Sequence, residues 1–166
     1  MEANHPNYHT LLNLFRGMHK VIEEDWQNSA KQLGITQAEQ HILWIIHMEK
    51  KATMSRVAEI GLWDLSTVMQ IVKRLKEKQL VTTVKNDNDL RVSYVLLTGK
   101  GKKVREASSE LGHRVLEFIE NFFEESNENK MFLDNLHHFL REANKEFHGN
   151  DFVQWVDKTS QTLEQS

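Results

Sequence analysis

Apolar side chains recur every three to four positions along most of this chain, and the places where that rhythm stops mark its elements. Leu11, Leu12, Leu14, Phe15, Met18, Val21, Ile22 and Trp26 fall at helical spacing, which predicts a helix over residues 8–33. Gly34 ends it as a C-terminal cap. Thr36, with Glu39 three positions on, forms a capping box and opens a second helix. The apolar face of that helix is predicted to be His41, Ile42, Trp44, Ile45 and Met48. Lys50 and Lys51 suit its C-terminus, where the helix dipole favours cations. A short third helix is predicted over 55–60, with Ser55 as N-cap and Val57, Ala58 and Ile60 buried. Residues 61–64 read as a turn, with Gly61 supplying its permissive backbone. A fourth helix over 65–78 carries an inner stripe of Val68, Ile71, Val72 and Leu75.

The period then shifts from helical to alternating. Residues 80–84 and 92–97 are β-rich, and the polar run 85–89 between them predicts a hairpin with a charged tip. A long helix is predicted from about Gly99 through Phe123, a polar break at 126–130, and another helix over 131–147. His148, Gly149 and Asn150 read as a turn before a last short helix holding Phe152, Val153, Trp155 and Val156. Two short helices across a tight turn, followed by a β-hairpin, give the order of a winged helix-turn-helix. The predicted fold class is therefore mostly α with a small β-hairpin wing. The 166 residues are expected to form one domain: a winged unit over 36–98, and helices over 8–33 and 99–166 for dimerisation. The terminal helices hold more apolar surface than a winged unit of this size covers, and an exposed apolar face of that kind marks a partner surface. A twofold homodimer is the commonest solution.

Charge sharpens this picture. The net charge is −3, which alone says nothing about nucleic acid. Residues 50–105, however, hold 13 Lys and Arg against 5 Asp and Glu, a balance of +8, while the remainder stands at −11. A basic middle flanked by acidic arms predicts a local contact with a polyanion. The fourth helix would enter the major groove of double-stranded DNA. Ser66, Thr67 and Gln70 can address base edges, and Lys73 and Arg74 suit phosphates or guanine. Ser55, at the start of the third helix, and Lys85 on the hairpin complete the expected DNA-binding residues. Arg91 on a thin wing can enter a minor groove, with Asp87 and Asp89 orienting it through charge-assisted hydrogen bonds.

These residues resemble a known family. Residues 37–44, 55–61 and 65–68 are similar to helices two to four of MarR-type regulators. The run 87–91 matches the acidic-x-acidic-x-Arg wing, and residues 97–101 match the Leu-Thr-x-x-Gly signature that follows it. Residues 41–45, Ala58 with Gly61, and residues 148–152 resemble the Hpr/ScoC branch, repressors of protease production and sporulation in bacilli. Gly61 falls one position earlier than is usual for the motif, and Gln79 stands where a glycine commonly ends the recognition helix. The resemblance implies an intertwined homodimer whose two winged units straddle a pseudo-palindromic operator, most simply as a repressor. It also implies a possible effector pocket between the winged unit and the dimer helices, which Trp44, Trp63 and the methionines could line; core packing is the other reading of those residues.

Other chemistries find little support. The chain has no cysteine, so disulfides, thiolate metal sites and cysteine nucleophiles are ruled out. Nine histidines show no metal-ligand spacing, so no metal or other cofactor is expected. No phosphate loop, nucleophile elbow or distinctive carboxylate pair points to an enzyme, and no catalytic residue is assigned. No leader or spanning segment is read from the sequence, so a cytoplasmic protein without membrane contact is expected. The alternative function is a winged-helix interaction module that regulates a partner protein without touching DNA.

Overall fold

A computed structural model describes residues 7–86, 89 and 91–164. Its elements run α1 (Tyr8–Gln32), α2 (Gln37–Glu49), β1 (Ala52–Thr53), α3 (Met54–Gly61), α4 (Leu65–Glu77), β2 (Val81–Lys85), β3 (Ser93–Leu97), α5 (Gly99–Ser109), α6 (Arg114–Glu125), α7 (Asn127–His148) and α8 (Asn150–Glu164). The mostly α class with a β-hairpin wing is the one observed.

The core lies where the end of α1 meets α2, α3, α4 and the sheet. Ala30, Ile42, Ile45, Val57, Ile60, Val68, Val72, Leu75 and Val95 are all buried there. The expected inner stripe of α4 is buried in full. On α2 the buried face is rotated from expectation: Leu43 and Ile46 join Ile42 and Ile45 inside, while His41, Trp44 and Met48 lie at its margin. The Thr36–Glu39 capping box is present, with both reciprocal hydrogen bonds formed. The sheet has order β1-β3-β2 and is antiparallel throughout, with Thr83 opposite Val95. The two-residue β1 was not expected. It is too short to show a period and is defined by its pairing with β3.

Several boundaries differ from those read in the sequence. Thr53, not Ser55, caps α3 by accepting from the amide of Arg56 at 3.1 Å, so Ser55 sits inside the first turn. Gly61 is the last helical residue, and Leu62 takes the left-handed turn position at φ 56. A glycine is needed at 61 for space: a Cβ there would lie 2.4 Å from the Trp63 ring. The single long helix after the wing is two helices, α5 and α6, broken at residues 110–113. The polar break at 126–130 reduces to Ser126, which separates α6 from α7 and caps α7 through the amide of Asn129. Gly149 makes the expected turn at φ 86, and α8 runs to Glu164, longer than expected.

Candidate nucleic-acid interface

The outer face of α4 follows from its inner one. With Val68, Ile71, Val72 and Leu75 committed to the core, Ser66, Met69, Gln70, Lys73 and Arg74 are exposed. Asp64 caps the helix. It accepts from the Thr67 amide at 2.8 Å, from the Thr67 hydroxyl at 2.6 Å and from the Ser66 hydroxyl. The Ser66 hydroxyl, then those of Thr67, hold the Asp64 carboxyl well below the ordinary carboxylate range. Both hydroxyls spend their hydrogens on this carboxylate, so what they offer outward is lone pairs. They can therefore accept outward but not donate. Gln70 and Lys73 make no side-chain hydrogen bond among the described residues.

Arg74 has a second attachment. Its Nε lies 3.6 Å from Oε1 of the buried Glu39, whose Oε2 accepts from Lys78 Nζ at 2.8 Å. Burial works against charge on Glu39, but the Lys78 ammonium and the Thr36 amide outweigh it and keep the carboxyl below its usual range. This knot fastens the last turns of α4 to the first turn of α2. In the sequence Glu39 shows only as a local cap. Its longer-range role depends on contacts across 39 residues, which spacing does not reveal.

The wing stands beside α4, linked to it by a 3.1 Å hydrogen bond from Lys76 Nζ to Thr83 Oγ1. Lys85 is exposed at the end of β2. The Arg91 side chain is 91% exposed, and Asp89 holds it with a two-pronged contact, Nε to Oδ1 at 3.0 Å and Nη2 to Oδ2 at 3.2 Å. The Arg91 amide also donates to Asp89 Oδ1, at 3.0 Å. These bonds lower the Asp89 carboxyl from its usual range. Asp87, expected to assist, lies outside the described residues with Asn88 and Leu90. Ser55 is exposed on α3, one residue before Arg56. Arg56 has no spacing in the sequence that singles it out. It meets Glu49, Glu59 and, on α8, Asp151.

A cavity of about 640 Å³ opens between α1, α2, α6 and α8, walled by Trp26, His41, Trp44, His113, Leu116 and Trp155 among others. Trp44 is there as the effector reading expects, but Trp63 and the methionines are not. His113 Nδ1 and Trp155 Nε1 are buried at its wall without a hydrogen-bond partner among the described residues.

Comparison with known proteins agrees with this geometry. Residues 26–107 match the family described as transcriptional regulator SarA/Rot. The HTH-type transcriptional regulator Hpr of Exiguobacterium sibiricum is 35% identical over 96 residues, 58% of this chain and 51% of that protein. Hpr of Geobacillus thermodenitrificans is 37% identical over 94 residues, 57% of this chain and 47% of its own length. The chain thus spans about half the length of the curated relatives it matches. Among solved structures, a mutant MarR from E. coli complexed with operator DNA superposes with a TM-score of 0.63 at 23% identity, covering 81% of this chain and 97% of that one. The fold is that of a winged helix-turn-helix protein, shared with the solved MarR structure. In sequence, the matched stretch is similar to the Hpr regulators.

Proposed function

We propose that this protein is a sequence-specific DNA-binding transcriptional regulator that acts as a homodimer on a pseudo-palindromic duplex, as a repressor. The observation that carries the reading is the pairing of a polar outer face on α4, where Gln70 and Lys73 make no side-chain hydrogen bond among the described residues, with an Arg91 held out on the wing by Asp89. A helix of that kind fits the major groove, while a preset arginine fits the minor groove beside it. Ser66, Thr67 and Gln70 read bases; Lys73, Lys85, Ser55 and part of the Arg74 guanidinium contact the backbone. The solved neighbour bound to operator DNA supports the same use of the fold.

The homodimer is supported by the terminal helices. Leu12, Leu14 and Phe15 of α1, Phe118 of α6, and Phe132 and Phe139 of α7 are large apolar side chains left exposed in the single chain. No residue of α7 is buried. A twofold mate covering these strips would present two α4 helices to one duplex, as a pseudo-palindromic site requires. The reading assigns no catalysis and a cytoplasmic place of action. The cavity beneath the winged unit, with two unpartnered donors or acceptors on an apolar wall, suits a small-molecule effector.

The test is binding to genomic duplex fragments by the full chain, followed by variants. Arg91→Ala is expected to weaken binding to every site, and Gln70→Ala to shift sequence preference at a cost of about 1–3 kcal/mol at the contacted base pair. Unchanged binding and unchanged preference in both variants would overturn this assignment of residues.

A further inference from the structure

The first turns of α4 carry apolar side chains where a solvated face would carry charge. Leu65 is 45% exposed and Met69, one turn on, is 53% exposed; Leu62 in the turn before them is 48% exposed. Leu65 and Met69 stand at i and i+4, so they lie one above the other along one flank of the helix. Ser66, Gln70 and Lys73 run beside them on the outermost line, and Lys76, one turn or so further, leans to the wing. The strip lies on α4 and the turn before it, apart from the exposed apolar faces of α1, α6 and α7. A flat apolar protein partner here would have to bury the Lys73 ammonium and the Gln70 amide alongside. A DNA groove would not, because it offers polar edges and phosphates next to one kind of apolar group.

That group is the thymine C5 methyl, the apolar feature of a base edge in the major groove. We infer that Met69 and Leu65 are specificity-determining residues that pack on thymine methyls, so that the bound site carries thymine at the base pairs facing the first turns of α4. This rests on the DNA-binding reading above. Gln70 and the Ser66 hydroxyl fix hydrogen-bonding pattern, whereas the apolar strip separates thymine from cytosine by the methyl alone. A thioether that bends to the available space suits a methyl whose position varies between base steps. Leu62, held by the left-handed turn, continues the strip toward the backbone at the groove edge.

The experiment begins by selecting sites from a random duplex library with the full-length wild-type chain. The tightest site is then remade with deoxyuridine replacing one thymine at a time, which removes a methyl and changes no hydrogen bond. Binding is read by fluorescence anisotropy for wild type, Met69→Ala and Leu65→Ala. Burying one methyl predicts a loss of about three- to fivefold at one or two thymines per half-site in the wild type. At those positions the loss should vanish in Met69→Ala or Leu65→Ala. Both residues are half-exposed, so the variants are expected to keep the circular dichroism spectrum of the wild type. Salt-dependent binding with no deoxyuridine effect, or an effect of equal size in all three proteins, would overturn this inference and leave DNA binding standing. Failure to select any duplex would overturn both.

Discussion

Gln79 sits at φ 60 between α4 and β2, in the left-handed region that favours glycine. Its carbonyl accepts from the Thr98 hydroxyl at 2.7 Å, and that bond needs only the backbone. Replacing Gln79 by Gly should therefore relieve the side-chain clash and keep the anchor, raising stability by about 0.5–1 kcal/mol. Urea unfolding should show a higher midpoint at unchanged slope. His41 is perturbed by burial instead. Burial depresses its basicity, and its ring is held edge-on between Trp26, at 5.7 Å, and Trp63, at 5.1 Å. An unfolded histidine, with a pKa of about 6.5, then takes up a proton before the folded one does. Stability should accordingly fall as pH drops below about 6.5, and His41→Phe should flatten that slope. His47, also depressed by burial, leaves a residual slope in the variant. A wild-type unfolding curve independent of pH between 8 and 5 would contradict this account. At this scale the sequence was partly legible: the departure at Gln79 was visible as a missing glycine, while the His41 sandwich joins residues 15 and 22 positions away.

The elements show most clearly what periodicity can and cannot reveal. The α4 stripe and the Thr36 box were readable because their determinants lie within one or two turns of each other. The break between α5 and α6 was not. Asp25 of α1 produces it from 90 residues away by accepting from the Val115 amide at 3.1 Å and from Arg114 Nε at 2.6 Å. It does the work of an N-cap that His113 does not supply. The hydrophobic rhythm runs on across residues 110–113, so Gly112 is the interruption's local mark, and a lone glycine inside a helical pattern is a weak one. The role of α8 was equally hidden. Val153 is buried, Trp155 packs against the core of the winged unit, and Asp151 meets Arg56 on α3. The last helix thus returns from α7 to brace the helix that precedes α4. Trp155→Ala should cost about 2–3 kcal/mol, less than a fully buried tryptophan because the ring is only partly enclosed. A thermal unfolding midpoint equal to that of the wild type would show that α8 is a passive appendage.

For the whole molecule, the decisive features are the apolar strips and the charge division. The exposed apolar side chains on α1, α6 and α7 are the face proposed for the homodimer, and the sequence carried that signal as surplus apolar residues in the arms. Leu12→Glu combined with Phe139→Glu places charge in both strips and should give a monomer in sedimentation, with DNA binding weakened because each half-site is then held alone. A dimer of unchanged stability would move the interface elsewhere. The central claim is that a basic helix and wing engage the phosphates of duplex DNA. It is tested most directly by the salt dependence of binding to a selected duplex. A plot of log affinity against log salt is predicted to be linear with a slope of about −4 or steeper, and Arg91→Ala should make it shallower by about 1–2 for the two wings of a dimer. A flat plot, or a slope that Arg91→Ala leaves untouched, would contradict it.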